Sequence, residues 1–263
     1  MHIDQTPHTN NALDPAHRLT RHTPDSLLAR QLTVEFIGTF ILVLTIGLAT
    51  SSKGAGELAP LAIGSALMVM VFAGGHISGA HYNPAVSFAA LLTGKLRRRQ
   101  TVSYVLTQLA AGALAALLVR ALVGPATPAV LASDWKILVG ELIFTLALAF
   151  VVLNVTSNQA TEGNSFYGLA IGFTVATGAF AVGKTTGGVL NLAAALGGSV
   201  TGALTWSRSW IYVVASLLGG AGAAVLFAYL HPSLPEVDRR LLSEVQSPVP
   251  DSLRGGALQR NMP

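Results

Sequence analysis

Long apolar segments alternate with short polar ones along most of the chain. Six of these segments approach the ~20 apolar residues that a helix needs to cross a bilayer. Two further apolar stretches, at about 83–94 and 191–204, are too short to cross, and their length suits re-entrant half-helices. The pattern therefore predicts an all-α membrane protein with six transmembrane helices plus two re-entrant half-helices. The spans are predicted at about 32–50, 58–75, 102–123, 137–155, 166–182 and 210–230.

Each short apolar stretch begins at an asparagine. Asn83 precedes Pro84, and Asn191 precedes Leu192. Asparagine is favoured as a helix N-cap, and proline suits the first helical position. Both stretches therefore predict a loop that leads into a helix N-terminus at membrane depth. Irregular backbone is tolerated there only where protein or a water-filled cavity surrounds it, so the two motifs mark the candidate site.

The two halves of the chain resemble each other. Glu35 in the first span matches Glu141 in the fourth, and Asn83 matches Asn191 at a nearly equal offset along the chain. Each half holds three spans and one half-helix, and since three is odd, the second half enters the membrane inverted relative to the first. This inverted repeat predicts a functional site at the midplane, between the halves.

Glu35 and Glu141 lie inside predicted spans, where a buried carboxylate is costly and needs partners. One interpretation is a proton relay. The other is that each carboxylate accepts hydrogen bonds from the backbone N–H groups that a re-entrant loop leaves free. The symmetric recurrence favours loop support, while the relay stays open.

The composition agrees with a membrane protein. Hydrophobic residues make up 51% of the 263 residues and charged residues 11%, whereas a soluble domain carries about 25% charged residues. The absence of cysteine excludes disulfides and thiolate chemistry. No cofactor or metal is expected, because the spacing of the N-terminal histidines matches no common ligand pattern. These are His2, His8, His17 and His22, in a polar stretch without the apolar core of a signal peptide.

Basic residues predict the orientation. With the N-terminus in the cytoplasm, eleven basic residues lie inside and five outside, which favours cytoplasmic N- and C-termini. The net charge of +4 then follows from topology and calls for no nucleic-acid partner. Arg97, Arg98 and Arg99 could alternatively bind anionic lipid head groups. The inside set is Arg18, Arg21, Arg30, Lys95, Arg97, Arg98, Arg99, Arg239, Arg240, Arg254 and Arg260, and the outside set is Lys53, Arg120, Lys136, Lys184 and Arg208.

Taken together, these features resemble the aquaporin family, also called the major intrinsic proteins. Besides the two glutamates, the resemblance rests on Gln108, Gly112 and the stretch 76–87, which contains His-Ile-Ser-Gly and Asn-Pro-Ala-Val-Ser. It covers about 30–231 and implies one pore per protomer, a homotetramer in the inner or plasma membrane, and passive flow of water or small uncharged solutes. The predicted boundaries are 1–30 for a polar cytoplasmic tail, 31–231 for a channel domain with halves at about 31–123 and 137–231, and 232–263 for a second polar cytoplasmic tail.

The resemblance gives the two motifs a role. It implies that the half-helix N-termini meet at the pore centre, formed by Asn83, Pro84, Ala85, Asn191, Leu192 and Ala193. Each N-terminus carries about half a positive charge, which repels cations. The two asparagine amides can donate hydrogen bonds to a passing oxygen, whereas a hydrated ion would have to shed its water.

The second motif departs from the family pattern, which reads Asn-Pro-Ala-Arg. Leu192 replaces the proline, and Ala194 replaces the arginine that narrows the outer constriction and repels cations in the family. Spacing from the asparagines places the other constriction positions at Ile63, Ala179 and Gly188. These side chains are mostly small and not polar, so we expect a wider, less polar filter that admits polyols or urea together with water. The alternative is a pore kept narrow by Phe180, Leu190 or Leu192.

Three further residues lie near the loops. Lys184 precedes the second motif and could supply the charge that Ala194 lacks, although lysine is a poorer fixed donor than arginine. His76 and His81 flank the first loop and are expected to support it, with pH gating as the alternative.

Other function classes fit less well. A hydrolase needs a nucleophile with a base in reach, and Ser78 lies in no Gly-x-Ser-x-Gly motif. The chain is therefore not expected to be an enzyme. A non-conducting structural protein of the same fold and a proton-coupled transporter stay as alternatives to a passive channel.

Overall fold

The structure is a computed structural model that describes residues 24–232, and within this range the regular elements are helices, without strands. The predicted tails and the four tail histidines lie largely or wholly outside this range. Ala228–Pro263 forms a separate unit, of which only residues up to 232 are described. The described helices are α1 (Pro24–Ala49), α2 (Ala59–Ser78), α3 (Pro84–Leu92), α4 (Arg98–Val123), α5 (Asp134–Ser157), α6 (Tyr167–Thr186), α7 (Leu192–Thr201) and α8 (Ser209–Leu230).

Six of these helices are long and apolar enough to cross a membrane. The other two, α3 and α7, have nine and ten residues. At ~1.5 Å per residue each is about 14–15 Å long, which is half of the ~30 Å hydrocarbon core. The predicted fold class of six spans and two half-helices is confirmed.

The helix bounds differ from the predicted ones mainly where polar residues continue a helix beyond its apolar part. α1 begins at Pro24 rather than near residue 32, within the range predicted as tail. Hydropathy marks the part of a helix that lies in the bilayer, and α1 continues past it. Leu28 and Leu32 account for this extension, because they pack against a cluster that contains Leu96 and Tyr104.

α2 and α6 also continue further than predicted. They end at Gly79 and Gly187, whose φ angles of 86° and 101° are left-handed and favour glycine at a helix end. His76 therefore lies in the last turn of α2, and Lys184 lies in the last turn of α6. The half-helices are shorter than predicted and end at Leu92 and Thr201.

Two glycines let each half-helix contact a span from the other half of the chain. A methyl group on Gly112 of α4 would lie 2.6 Å from the carbonyl oxygen of Ala193 in α7. A methyl group on Gly220 of α8 would lie 2.7 Å from the carbonyl oxygen of Ala85 in α3. Any larger side chain would push the half-helices out of place, so these contacts hold the N-termini of α3 and α7 at the centre of the fold.

Candidate functional site between the re-entrant loops

A buried carboxylate holds the first re-entrant loop. Glu35 of α1 is fully buried, and its Oε1 accepts hydrogen bonds from the Ser78 hydroxyl at 2.7 Å and the His81 N–H at 2.9 Å. Its Oε2 accepts from the Tyr82 N–H and the Gln108 side-chain amide, both at 2.8 Å. Four donors thus converge on one carboxylate, and they fix the path of the loop between α2 and α3.

A second buried carboxylate holds the second loop in the same way. Oε1 of Glu141 accepts hydrogen bonds from the Thr186 hydroxyl at 2.7 Å and the Val189 N–H at 3.1 Å. Its Oε2 accepts from the Leu190 N–H at 2.8 Å. Each glutamate thus accepts hydrogen bonds from two backbone N–H groups of its loop, which is what the loop-support interpretation requires.

Two tyrosines tie the loops to neighbouring spans. The Tyr104 hydroxyl donates to the carbonyl oxygen of Ser78 at 2.8 Å, and the Tyr212 hydroxyl donates to the carbonyl oxygen of Thr186, also at 2.8 Å. The sequence analysis did not predict a loop-supporting role for either tyrosine or for the residues Ser78 and Thr186 that they contact. The offset along the chain that relates the two asparagines also relates Tyr104 to Tyr212 and Ser78 to Thr186, and it would have revealed them.

The loops contain residues in left-handed backbone conformations. Ala80, Tyr82 and Leu190 have φ angles of 49°, 48° and 52°. A non-glycine residue in such a conformation costs of order 1–3 kcal/mol, and it persists only where its surroundings hold it. The N–H groups of Tyr82 and Leu190 are each bound to a buried glutamate, so the carboxylates hold the strained residues directly.

The two asparagines cap the half-helices and bind each other's loop. Oδ1 of Asn83 accepts from the Ala85 N–H, and Oδ1 of Asn191 accepts from the Ala193 N–H, each at 2.9 Å. Across the centre, Asn83 Nδ2 donates to the Leu190 carbonyl oxygen at 2.8 Å. Reciprocally, Asn191 Nδ2 donates to a carbonyl oxygen of the first loop at 2.8 Å. An amide nitrogen has two hydrogens, so each asparagine keeps one donor for another acceptor.

The residues at the start of each half-helix differ. Pro84 is buried at the first position of α3. Leu192 takes the same position in α7, and its side chain packs against the buried cluster that contains Ile137 and Tyr212 rather than lining the cavity described next. Leu192 therefore does not obstruct the space in front of the asparagines.

A cavity of about 580 Å³ contains both asparagines in its lining. Ile63, Ala179, Gly188 and Ala194, the positions predicted by spacing, line it as well. One end, which we call the mouth, is bordered by Thr50, Glu57 and Lys184, where α1 ends and α2 begins. Beyond the asparagines the wall includes Leu148, Val152 and Ile171. The cavity thus extends to both sides of the paired asparagines.

The mouth carries an ion pair. Lys184 Nζ lies 3.4 Å from Glu57 Oε1, and both side chains are more than 90% exposed. Sequence reasoning identified Lys184 but missed Glu57, because nothing in the sequence brings residues so far apart together. The carboxylate compensates the ammonium charge at this end of the cavity.

The two histidines of the first loop lie in different surroundings. His81 lines the cavity, and its Nδ1 lies 3.0 Å from the Ser87 hydroxyl oxygen. Its ring packs edge-on against Tyr104, with the centroids 5.4 Å apart. His76 is exposed, and among the described residues its ring makes no hydrogen bond to the loop. His81 therefore lies within the loop and contacts its surroundings, whereas His76 lies in the last turn of α2 and is exposed.

The remaining apolar candidates also line the cavity. Leu190 is fully buried in its wall, and Phe180 is 56% exposed near the mouth. Apart from Glu57 and Lys184, the described lining contains no carboxylate, lysine or arginine. Within residues 24–232, no three histidine, aspartate or glutamate side chains are placed to hold a metal ion.

Comparison with known proteins shows a family and a fold. The family model described as "Major intrinsic protein" matches residues 49–227. The chain is 35% identical over 208 residues to "Glycerol uptake facilitator protein-like 6" of Lactiplantibacillus plantarum, covering 74% of this chain and 95% of that protein. It is 31% identical over 211 residues to "Aquaporin NIP1-4" of Oryza sativa subsp. japonica, covering 76% of this chain and 77% of that one.

A solved structure has a similar fold. The aquaglyceroporin from Plasmodium falciparum superposes with a TM-score of 0.65 at 20% sequence identity. The superposition covers 82% of this chain and 99% of that one. The inverted arrangement of spans and half-helices is thus shared with a structure of known architecture.

Proposed function

Since the chain belongs to the major intrinsic protein family, and is therefore a passive membrane channel for water or small uncharged solutes rather than an enzyme, we propose that its pore admits solutes wider than water, such as polyols or urea. The observation that carries this proposal is the lining of the cavity beside the second motif. Ala194 stands where the family pattern has arginine, and Ile63, Ala179 and Gly188 line the same cavity. None of these four side chains fills the passage with a long polar group.

The pore centre supplies the exclusion of ions. The N-termini of α3 and α7 meet there, and each contributes roughly half a positive charge. A cation is repelled and loses its hydration in an apolar passage, whereas a neutral oxygen accepts from the free hydrogens of Asn83 and Asn191. We propose that these two amides orient each solute molecule as it passes.

Stopped-flow light scattering of proteoliposomes tests the width of the filter. We expect fast water efflux together with re-swelling by glycerol and urea for the unchanged chain. Ala194→Arg narrows the passage and adds fixed donors, so the ratio of water to glycerol permeability should rise. Ala194→Leu is the matched control, because it adds bulk without charge and should lower both permeabilities. Vesicles that shrink rapidly in water gradients but never re-swell would contradict the proposal.

We propose that the chain lies in the inner or plasma membrane with both termini in the cytoplasm. The larger number of basic residues on that side supports this orientation. The chain has no cysteine, so single-cysteine variants report topology without background. Lys53→Cys should react with a membrane-impermeant maleimide added to intact cells, and Lys95→Cys only after permeabilisation. The reverse pattern would invert the proposed orientation.

We also propose a homotetramer, which the family resemblance implies. Large apolar side chains such as Leu106 and Val225 are 63% and 71% exposed on the single chain, so lipid or a further copy must cover them. Native mass spectrometry of the purified protein should give four chains per particle. A monomer that retains water permeability would refute the assembly without affecting the channel.

A further inference from the structure

The part of the cavity between the mouth and the asparagines, which we call the mouth section, has an apolar lining. Its side chains are aliphatic or aromatic, or are absent at glycine. Of the polar side chains in the cavity lining, Thr50, Glu57 and Lys184 border the mouth. The others belong to the asparagines and to the first re-entrant loop, which contributes His81 and Tyr82. The apolar lining of the mouth section includes Ile63, Ala179, Phe180, Gly188, Val189 and Ala194.

This distribution sets a cost for polar solutes. A solute that enters the mouth section loses hydrogen bonds to water, and no side chain there replaces them. Each polar group of the solute that loses water without gaining a new hydrogen bond raises the free energy of entry. An alkyl group has the opposite preference, because its transfer from water to an apolar wall is favourable in proportion to the area buried.

We propose that the mouth section selects small uncharged solutes that carry an alkyl group, such as methyl-substituted ureas and short amides, over their unsubstituted parents. The alkyl group of such a solute lies against the apolar wall while the solute crosses the mouth section, and its polar end accepts from the Asn83 and Asn191 amides when it reaches them. This inference rests on the proposed function, since it requires that solutes pass through the cavity.

The test compares urea with N-methylurea, and acetamide with propionamide, in proteoliposomes. Empty vesicles of the same lipid are subtracted, because methyl groups also speed passage through the bilayer itself. The protein-dependent permeability should be roughly fourfold higher for each substituted solute, the fold-change that corresponds to the ~0.8 kcal/mol of one buried methylene. A ratio at or below one would overturn the inference.

Serine variants test whether the lining causes the preference. Ala179→Ser and Ala194→Ser each add one hydroxyl with little volume, so the N-methylurea to urea ratio should fall toward one. Ala110→Ser is the matched control, because Ala110 is an exposed residue of α4 outside the cavity lining, and its ratio should match the unchanged chain. A ratio that is the same in all three variants would overturn the assignment to the mouth section.

The failure of this inference is distinguishable from the failure of the proposed function. Vesicles without any protein-dependent flux of water or solute would overturn both. Vesicles that pass urea and glycerol but show no preference for substituted solutes would overturn only the inference. Should a serine variant fail to purify as a folded particle, the ratio measured for the unchanged chain decides alone.

Discussion

The two re-entrant loops share one backbone but differ in their side chains. Asn83 and Asn191 have φ of −153° in both loops, with ψ of 123° and 121°. Each loop follows a left-handed glycine and is bound by a buried glutamate. The comparison teaches that this backbone depends on a small set of repeated partners, the carboxylate, the hydroxyl, the tyrosine and the capping asparagine. Other positions are free to differ.

The first loop has an additional polar network. His81 contacts Ser87, whose hydroxyl accepts from Gln108, which also binds Glu35. At the equivalent positions, given by the offset between the two asparagines, the second half has Val189, Ala195 and Ser216. The first loop is therefore held by side chains that the second loop lacks, while the second loop presents apolar side chains to the cavity.

The largest loss of stability should come from substitution of the two buried glutamates. In Glu35→Gln, either orientation of the new amide turns its NH₂ toward one backbone N–H of the loop. The second donor at each oxygen is the Ser78 hydroxyl or the Gln108 amide, and either group can turn and accept from the NH₂ instead. In Glu141→Gln, the NH₂ can take the place of Oε2 and then faces only the Leu190 N–H. At about 1–3 kcal/mol for a buried donor left unpaired, each of the two variants should cost about 1–3 kcal/mol.

Thermal unfolding of the purified variants in detergent measures both losses. Glu162→Gln is the control, since Glu162 is exposed between α5 and α6, and its midpoint should stay unchanged. A loss of stability in only one of the two variants would show that the two loops do not depend equally on their carboxylates.

The second largest loss of stability should come from substitutions in the polar network of the first loop. His81→Val and Ser87→Ala each give the first loop the side chain of the second, and each should cost about 1–2 kcal/mol. Because the two residues contact each other, the double variant should cost less than the sum of the single ones. Chemical denaturation of all four chains gives the coupling energy, and additive losses would mean that the contact contributes nothing.

The sequence predicts the parts of this site that a local pattern encodes. The asparagines are marked by an apolar stretch that begins directly after them, and the glutamates by a charge within a span. Glu57 could not be found in this way, because its partner Lys184 is 127 residues away and only the packing of α2 on α6 brings them together. Likewise, hydropathy cannot show that Leu192 packs against the buried cluster around Ile137 rather than into the cavity.

A smaller effect concerns the first residue of each half-helix. Leu192→Pro gives α7 the start of α3, and a fixed φ at the first helical position should stabilise it by about 0.4–1 kcal/mol. The loss of packing against the cluster that contains Ile137 and Tyr212 opposes this gain, so the stability should change by less than about 1 kcal/mol. Pro84→Leu is the contrasting variant, since Pro84 is buried and a larger side chain overpacks its site, at about 1–3 kcal/mol. The unfolding midpoints decide, and a large loss for Leu192→Pro would mean that the two starts are not interchangeable.

The smallest effect on stability should come from Lys184, whose equivalent in the first half of the chain is His76. Both lie in the last turn of a span, and the exposed ion pair with Glu57 should add no measurable stability. Its effect is on charge at the mouth. Lys184→Ala leaves the Glu57 carboxylate alone and should raise cation leak by no more than a few-fold, since exposed charges are screened by salt.

The double variant Glu57→Gln, Lys184→Ala separates two roles of the lysine. If Lys184 acts by neutralising Glu57, the double variant leaks no more than the unchanged chain, which is the outcome that we expect from their 3.4 Å contact. If the double variant leaks like Lys184→Ala, the ammonium itself takes the place of the missing arginine. His76→Ala is the control for the other loop. Conductance of planar bilayers in potassium chloride measures the leak, and an unchanged conductance for Lys184→Ala would remove the lysine from the charge barrier altogether.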